Sequence, residues 1–366
     1  MIEMEKNDGL YGNFKEPPEF RADPLQSYQI DDGIVVGFVT VVVPARGKRP
    51  REIHPEKKQV MDTPKDNLLL KISNGEESAI VVSTNHEFVS NPFDIKLKPS
   101  KREIKAEAVT ILNKFPMFTK NDNVFPHGVM LVTFPTKQLY YPRHNPEAVY
   151  WMLKSIQNAL EGLKSIKKSG YQVLNFFNVG PNSGASLRQL HSQTYVWRHS
   201  LPVYGKEAMA FYEAYKRNGC LACRFIENGI ISDPFGNEVS IESLKIFEDE
   251  NVIVIFAFAP IRLLQTRVIL KSHNANLYTL SASQLKSLAK GIAIADDGIF
   301  EVSSYINFRF EDRSIAFREK YDGDFHMIVD VLPAWPLAGA ELVSSMTFAS
   351  RPPEKAAEIY RERKQI

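Results

Sequence analysis

Apolar residues recur along this chain in short runs separated by polar segments that contain glycine and proline, a pattern that predicts a mixture of strands and helices. The longest apolar run, residues 33–45, is rich in β-branched side chains and too short to cross a bilayer, so we predict a buried strand at 33–44. Residues 1–25 are polar and are expected to form an N-terminal surface segment. We predict further first-half strands at 67–72, 79–83, 128–134, 171–177 and 193–198.

Residues 145–167 carry the clearest helix pattern, with Asn145 as a typical N-cap, Pro146 in the first turn and Gly170 after a lysine-rich end. The second half repeats this arrangement, and we predict helices near 205–217 and 281–294 and strands near 221–226, 252–258, 266–271, 303–309 and 325–332. Each half thus has strands, one long helix and then a strand bearing a histidine, which indicates a duplicated α+β unit with a mainly antiparallel sheet.

Composition and charge restrict the classes of function. The chain has 366 residues, of which 44% are hydrophobic, enough to bury the core of two domains. Its net charge of +2 comes from 45 basic and 43 acidic residues, so nothing global favours nucleic acid or an anionic membrane as a partner. The N-terminal residues include acidic side chains and no apolar signal core, so we expect a cytoplasmic protein.

The segment NVGPNSGASLRQLHSQ, residues 178–193, is the most informative part of the chain. Gly180 and Gly184 allow a close backbone approach to a ligand, Ser186 adds a hydroxyl, and His191 supplies a nucleophile whose ordinary pKa is about 6.5. The residue types alone leave another interpretation open, in which the glycines form a hairpin loop and His191 is an ordinary strand histidine.

The segment resembles the active-site motif of the galactose-1-phosphate uridylyltransferase family of the histidine triad superfamily, which reads F-x-N-x-G-x-x-x-G-x-S-x-x-H-x-H-x-Q. Gln189 stands where the first motif histidine is expected. The matching residues are Phe176 or Phe177, Asn178, Gly180, Gly184, Ser186, His191 and Gln193.

The resemblance extends over nearly the whole chain. Near the N-terminus, Arg21, Asp23, Pro24, Leu25, Arg46, Arg49 and Pro50 are similar to the family's R-x-D-P-L and R-x-x-R-P elements, and Asn113, Phe115 and Pro116 to its N-x-F-P. The C-terminal signature is matched by His326, Pro333, Ala338, Gly339, Glu341, Pro352, Pro353, Glu354, Ala356 and Ala357. It implies two histidine-triad-like halves, which we expect at residues 26–203 and 204–366.

The resemblance also implies a function. His191 would attack the α-phosphorus of a nucleotide sugar, with Gln193 and Ser186 as catalytic donors, and a hexose-1-phosphate would then take the nucleotidyl group. Nucleotide or phosphate contacts would come from Arg46, Arg49, Asn178, Gly184, Ser186 and Gln193, and a sugar contact from Glu341. It further implies a homodimer. Two alternatives are a phosphorylase of an ADP-sugar or dinucleoside polyphosphate, and a nucleotide-binding protein with weak or no activity.

Cys220 and Cys223 are the two cysteines of the chain, in a C-x-x-C spacing that suits either a metal ion or a redox pair. With His273 and His326 they offer a Cys₂His₂ set for Zn²⁺. The resemblance to ADP-glucose phosphorylase-like members supports zinc, whereas an iron-binding variant would use a glutamate such as Glu207. No cysteine precedes residue 220, Lys137 takes a ligand histidine's place, and Gln189 replaces the last ligand, so we expect no such site in the first half.

Overall fold

The structure is a computed structural model. It describes residues 19–30, 34–42, 68–76, 80–83, 101, 103–113, 129–137, 145–162, 172–185, 187, 189–197, 220–232, 238–258, 260, 262–274, 276–305, 312–319, 325–334 and 352–365.

The first half, over these residues, consists of seven strands and two helices. The helices are α1 (Leu68–Ser73) and α2 (Pro146–Gly162). The strands are β1 (Glu19–Ile30), β2 (Ile34–Val42), β3 (Ile80–Ser83), β4 (Ala108–Leu112), β5 (Val129–Pro135), β6 (Gln172–Val179) and β7 (Ser192–Trp197).

The second half likewise has seven strands among its described residues, together with four helices. The helices are α3 (Leu221–Asn228), α4 (Ile241–Leu244), α5 (Ala282–Tyr305) and α6 (Pro353–Lys364). The strands are β8 (Ile230–Ser232), β9 (Glu238–Ser240), β10 (Lys245–Glu248), β11 (Val252–Phe256), β12 (Thr266–Leu270), β13 (Arg313–Arg318) and β14 (Ile328–Pro333).

A ten-stranded antiparallel sheet joins the two halves edge to edge, in the order β10-β11-β12-β14-β13-β6-β7-β5-β4-β3. Read inward from each edge, the first half contributes β3-β4-β5-β7-β6 and the second contributes β10-β11-β12-β14-β13, which is the same topology. In each half, a long helix follows the third of these five strands: α2 follows β5, and α5 comes after β12. The sheet therefore confirms the predicted fold of two equivalent α+β halves.

The strand register shows which residues of the two halves correspond. Each edge strand has a register shift at the same place, between Ile80 and Val82 in β3 and between Lys245 and Phe247 in β10. From there one row of paired residues runs through Val82, Thr110, Thr133, Ser192 and Phe177. The matching row runs through Phe247, Val254, Val268, Val329 and Phe317.

The two rows meet at the seam between the halves, where the rings of Phe177 and Phe317 stack with centroids 5.9 Å apart. Because Ser192 corresponds to Val329, counting along the two strands fixes three further correspondences. Gln189 corresponds to His326, His191 to Ile328, and Gln193 to Asp330. The duplication thus allows each residue of the candidate site to be compared with its counterpart.

Helices α2 and α5 lie against each other and cover one face of the sheet, burying a large apolar core. Gly291 of α5 permits this close packing, because a Cβ there would lie 2.9 Å from Val268 Cγ1. On the opposite face, α1 packs over the first half and α3 and α4 pack over the second. None of the described helices is both long and apolar enough to span a membrane.

Two predicted strands are wrong. In place of the strand predicted at 67–72, Leu68–Ser73 forms α1, in which Leu69 and Ile72 are buried while Leu70 is 44% exposed. Residues 221–226 lie in α3, which begins at its N-cap Cys220 and ends before Gly229 at φ 67°. Both segments are short apolar runs, for which periodicity does not distinguish a strand from a buried helix.

The prediction for residues 303–309 is also wrong at its start, because α5 continues to Tyr305; the next strand among the described residues begins at Arg313. We expected this helix to end near 294. Gly298, which resembles a stop signal, instead lies within the helix, where a Cβ would be 2.8 Å from Ile246 Cδ1. Among the described residues, sequence reasoning also missed six strands, β1, β4, β8, β9, β10 and β13.

The other predicted elements within the described residues agree with the structure within a few residues, including α2. The expected helix at 205–217 lies outside the described residues. The boundaries at residues 25 and 203 stay predictions. Strand β1 continues across the first of them, and the second lies outside the described ranges.

Candidate functional site

His191 directly precedes β7, whose Gln193 and Tyr195 continue the same side-chain face because an extended chain alternates its side chains. All three side chains are buried, with exposed fractions of 2% for His191, 2% for Gln193 and 6% for Tyr195. The His191 ring contacts the ring of Phe134 on neighbouring β5, with centroids 5.7 Å apart. This face of the sheet is opposite to the one that α2 covers.

The chain itself orients the imidazole of His191. Its Nδ1 lies 2.7 Å from the backbone oxygen of Gln189. A carbonyl oxygen only accepts hydrogen bonds, so Nδ1 carries a proton, and in the neutral imidazole Nε2 carries the lone pair. The ring nitrogen with the lone pair is therefore Nε2, which the backbone contact leaves available to a ligand.

Gln193 is oriented by Tyr195, whose hydroxyl donates to Gln193 Oε1 at 3.0 Å. The amide NH₂ of Gln193 is therefore the group available as a donor to a bound oxygen. The Tyr195 ring is itself held by an edge-to-face contact with Phe176, at 4.9 Å between centroids. Sequence reasoning missed Tyr195, although its spacing of two residues from Gln193 in a strand was a usable signal.

Asn178 lies across from His191, because β6 and β7 pair Phe176 with Gln193 and Phe177 with Ser192. Its side chain lies on the same face of the sheet as those of Phe176 and Gln193. Its Oδ1 accepts a hydrogen bond from Ser314 Oγ of the second half at 3.2 Å. The seam between the halves therefore lies beside the candidate nucleophile.

The glycine-containing segment is a tight loop closed by its own backbone. Gly180 has φ 82° and Gly184 has φ 84°, and a 3₁₀ turn at Pro181–Ser183 lies between them. The Gly184 N–H donates to Pro181 O at 3.0 Å, and the Ala185 N–H donates to Gly180 O at 3.2 Å. These two N–H groups are already bonded within the loop. What Gly184 offers a ligand is space, since among the described residues a Cβ there has only Asn178 Nδ2 within 4 Å, at 3.8 Å.

Several residues named from the sequence lie outside the described part of the chain. They are Ser186, Arg46, Arg49 and Glu341, together with Glu207 of the iron alternative. Lys137 is described, and its Nζ forms an exposed ion pair with Glu107 Oε2 at 2.8 Å.

Cys220, Cys223, His273 and His326 come together in the second half, with one ligand atom of each within 4.8 Å of all the others. Three elements bring them there: the start of α3, the segment after β12 and the segment before β14. His326 Nδ1 lies 3.3 Å from Cys220 Sγ and 3.4 Å from Cys223 Sγ, and His273 Nδ1 lies 3.3 Å from Cys223 Sγ.

These side chains fit a tetrahedral metal ion. Bonds of about 2.3 Å to sulfur and about 2.0 Å to nitrogen place two such ligands about 3.5 Å apart, close to the separations in the cluster. His326 Nε2 donates to Leu270 O at 2.7 Å, which leaves the lone pair of Nδ1 directed at the thiols. Burial lowers the pKa of His326 to about 4, so its imidazole is neutral near pH 7.

Cys220 is the N-cap of α3. A redox C-x-x-C pair also lies at a helix start, so this position does not distinguish a redox pair from a metal site. The choice between redox and metal therefore rests on His273 and His326, which lie against the sulfurs and supply two further ligands.

The first half has no counterpart of this cluster among its described residues, since Gln189 stands in the position of His326. The side chain of Gln189 is 4% exposed. Within the described part of the chain, neither its Oε1 nor its Nε2 has a hydrogen-bond partner. Burying an amide without a hydrogen-bond partner lowers the stability of the folded protein. An imidazole bound to a metal ion at this position would not have that effect.

The counterpart of the nucleophile in the second half is Ile328, and the counterpart of Gln193 is the fully buried Asp330. Arg267 Nε donates to Asp330 Oδ1 at 2.6 Å and Arg318 Nε donates to Oδ2 at 2.6 Å. Burial alone would raise the pKa of Asp330, but the two guanidinium groups outweigh it and lower the pKa to about 2. At this position of the strand, the first half therefore has a histidine and the second half has an isoleucine.

Comparison with solved structures identifies the architecture. A uridylyltransferase structure superposes with a TM-score of 0.61 at 18% identity, covering 94% of this chain and 98% of the other. An ADP-glucose phosphorylase from Arabidopsis thaliana with bound ADP-glucose gives a TM-score of 0.59 at 16% identity, covering 94% and 99%. The chain has the uridylyltransferase fold. Comparison with protein-family models gives no match, and comparison with curated protein sequences gives none either.

A uridylyltransferase mutant structure is similar as well, with a TM-score of 0.59 at 19% identity over 76% of this chain and 97% of the other. The uridylyltransferase fold therefore extends over both halves of the chain. This agrees with the architecture that the sequence motifs predicted.

Proposed function

We propose that the protein is a nucleotidyltransferase of the hexose-1-phosphate uridylyltransferase type, which acts through a covalent nucleotidyl-histidine at His191. The observation that carries the proposal is the orientation of His191. Its Nδ1 proton is held by Gln189 O, so Nε2 has the lone pair on the strand face that also bears Gln193. The uridylyltransferase fold and the matched motif support the same conclusion.

In the first step, Nε2 of His191 attacks the α-phosphorus of a nucleotide sugar and forms an N–P bond. The bond from this phosphorus to the bridging oxygen breaks, and the sugar phosphate leaves with its electron pair. In the second step, a phosphate oxygen of the acceptor attacks the phosphorus and the N–P bond breaks. The enzyme regains its neutral imidazole, and ping-pong kinetics result.

The residues around His191 bind different parts of the transferred nucleotidyl group. The amide of Gln193 donates to a non-bridging phosphoryl oxygen, since Tyr195 already occupies its Oε1. One such aimed donor is worth about 3 kcal/mol in the transition state. Ser186 holds a second oxygen, Gly184 leaves the space that the phosphate needs, and Asn178 contacts phosphate or ribose.

Specificity for the rest of the substrate is assigned to residues that the motifs match. Arg46 and Arg49 bind the nucleotide phosphates, because guanidinium groups suit phosphate geometry. Glu341 binds the hexose hydroxyls, and the acceptor is a hexose-1-phosphate. The protein acts as a homodimer.

The cysteine–histidine cluster holds one Zn²⁺ ion, bound by Cys220, Cys223, His273 and His326. Four protein ligands close the coordination sphere, which is the pattern of a structural site rather than a catalytic one. When bound, the ion cross-links α3 to the segments that flank β12 and β14. It thereby stabilises the second half, and no reaction step passes through it.

A phosphorylase is the second candidate. It is favoured by the similarity to the ADP-glucose phosphorylase, which covers as much of this chain as the similarity to the uridylyltransferase does. The first step would be unchanged, and inorganic phosphate would replace the hexose-1-phosphate in the second. Both reactions require the same nucleotidyl-histidine, so the acceptor distinguishes them.

The test is to incubate the protein separately with UDP-glucose, ADP-glucose and a diadenosine polyphosphate, each radiolabelled in the α-phosphate. We expect an acid-labile adduct with at least one donor in the wild type. His191→Asn should form none, whereas the control variant His54→Asn, a histidine to which we assign no role, should form it normally.

The acceptor is then added to the isolated adduct. Release by hexose-1-phosphate supports the transferase, and release by phosphate alone supports the phosphorylase. Absence of an adduct with every donor would exclude both enzymes and favour a nucleotide-binding protein without activity.

A further inference from the structure

The second half holds the glycine-containing loop of the first half through one carboxylate. Asp312 Oδ2 accepts a hydrogen bond from the backbone N–H of Asn182, at 2.7 Å and across 130 positions of sequence. This N–H belongs to the 3₁₀ turn at Pro181–Ser183, in the middle of the loop between β6 and His191. Sequence motifs assign no role to Asp312.

The other carboxylate oxygen of Asp312 occupies the place that a side chain at position 180 would need. A Cβ built on Gly180 would lie 1.8 Å from Asp312 Oδ1 and 2.3 Å from its Cγ. The glycine at this position therefore admits the carboxylate of the second half, in addition to its backbone angle of φ 82°.

Asp312 is itself held by its backbone and by the residue that follows it. Its backbone oxygen accepts from the Ala334 N–H at 2.8 Å. The next residue, Arg313, pairs with Val179 at the end of β6 and forms a buried ion pair with Asp296 of α5, in which Nη2 lies 2.7 Å from Oδ2. The loop is thus attached to a rigid part of the second half.

We propose that Asp312 is a positioning residue for the nucleotidyl-transfer site, because it fixes the loop Gly180–Ala185 relative to Asn178 and His191. Gly184 of this loop stands beside the amide of Asn178, on the His191 face of the sheet. The Asp312 carboxylate also accepts the hydrogen bond of the exposed N–H in the turn, to which an anion could otherwise bind. Because this N–H is already bonded, a bound diphosphate interacts with His191 and Gln193 instead. This inference rests on the proposed function of the site.

The test compares Asp312→Ala with Asp249→Ala by single-turnover formation of the nucleotidyl adduct. Asp249 is a matched control, since its Oδ1 accepts from the Asn251 N–H at 2.9 Å in a second-half turn and it is half-buried like Asp312. We expect Asp312→Ala to lower the rate constant of adduct formation about tenfold or more, because a small misplacement of reacting groups is costly. Asp249→Ala should lower only the yield of folded protein.

The conservative variant Asp312→Asn keeps an oxygen for the Asn182 N–H and should recover the rate constant to within about threefold of wild type. Gly180→Ala should also slow adduct formation. In Asp312→Ala/Gly180→Ala, the two losses should not multiply, because the atoms that collide with the new Cβ are gone.

Adduct amplitude reports the fraction of active protein, whereas the rate constant reports the geometry of each active site. If Asp312→Ala changes amplitude alone, as Asp249→Ala does, the positioning role is overturned. If the wild type forms no adduct, the proposed function fails instead. In that case, amide hydrogen exchange of the peptide spanning 180–185 tests whether Asp312 fixes the loop. An exchange rate in Asp312→Ala equal to that of the wild type would show that it does not.

Discussion

The hydroxyl of Tyr195 donates a hydrogen bond to Oε1 of Gln193, two residues away on the same strand face as His191. This bond determines which end of the Gln193 amide is presented to a ligand. The orientation of a neutral side chain is thus set within the strand before any substrate binds, which is the preorganisation that a transition state uses.

Tyr195→Phe should therefore slow nucleotidyl transfer without unfolding the protein. The Gln193 amide then rotates freely between its two orientations, and we expect the rate constant of adduct formation to fall about 3- to 10-fold. Donor affinity should change less than the rate. Tyr150→Phe, which alters a half-buried tyrosine on α2, is the control. Equal rates for Tyr195→Phe and the wild type would contradict the assignment.

The cysteine–histidine cluster predicts about one zinc ion per chain, measured by mass spectrometry of the metal. Cys223→Ser should reduce the content to near zero and lower the melting temperature by about 4 °C, if the site contributes about 3 kcal/mol. Glu227→Ser changes an exposed residue of the same helix and should keep the metal. A wild-type protein purified and dialysed against zinc that holds none would refute the site.

Gln189→Leu should raise the free energy of unfolding by about 1 kcal/mol, because it removes a buried amide with no partner among the described residues. The same substitution at Gln157 should lower it by a similar amount, since Gln157 Nε2 donates to Leu280 O at 2.8 Å. Urea unfolding measures both, and a destabilised Gln189→Leu protein would contradict this prediction. Its zinc content should equal that of the wild type, as the metal lies in the other half.

Asp330→Asn should destabilise the protein by about 3 kcal/mol at pH 7, because Arg267 and Arg318 would lose a buried counter-charge. The pKa of Asp330 is lowered to about 2, below the ordinary value of about 3.9, so its stabilising effect is complete above pH 4 and disappears as the pH falls through 2. The lowered pKa contributes roughly 2.6 kcal/mol to the free energy of unfolding at pH 7, and about half of this contribution is lost by pH 3.

The difference in unfolding free energy between wild type and Asp330→Asn should accordingly shrink as the pH is lowered from 4 toward 2. Asp249→Asn, which alters a half-buried carboxylate at a turn, controls for general acid effects. A difference that is constant between pH 7 and pH 3 would show that the ionised carboxylate is not the cause.

Much of the fold follows from local sequence. The capping residues and apolar spacing of α2 define that helix well, and the long periodic pattern of α5 begins at Ser281, whose N–H bonds to Gln284 Oε1 at 2.9 Å. Short apolar runs such as those of α1 and α3 do not carry enough periods to identify a helix. Their conformation is decided by what covers them in the folded protein.

Part of the candidate site also follows from local sequence. The spacing of His191, Gln193 and Tyr195 along one extended strand by itself places these side chains on one face, and the two cysteines of C-x-x-C lie together for local reasons as well. Sequence spacing also located the duplication of strands around one long helix. These are all relationships within a few residues, or repeats of a pattern.

Only the tertiary structure decided the relationships between distant segments. It brings His273 and His326 onto the cysteine pair, across 50 and 103 positions from Cys223, and it places Asp312 against Gly180. It also showed that Gln189 occupies the position of His326, through the shared register of two halves. Such contacts depend on strand pairing and packing over the whole sheet, and no local preference of the chain encodes them.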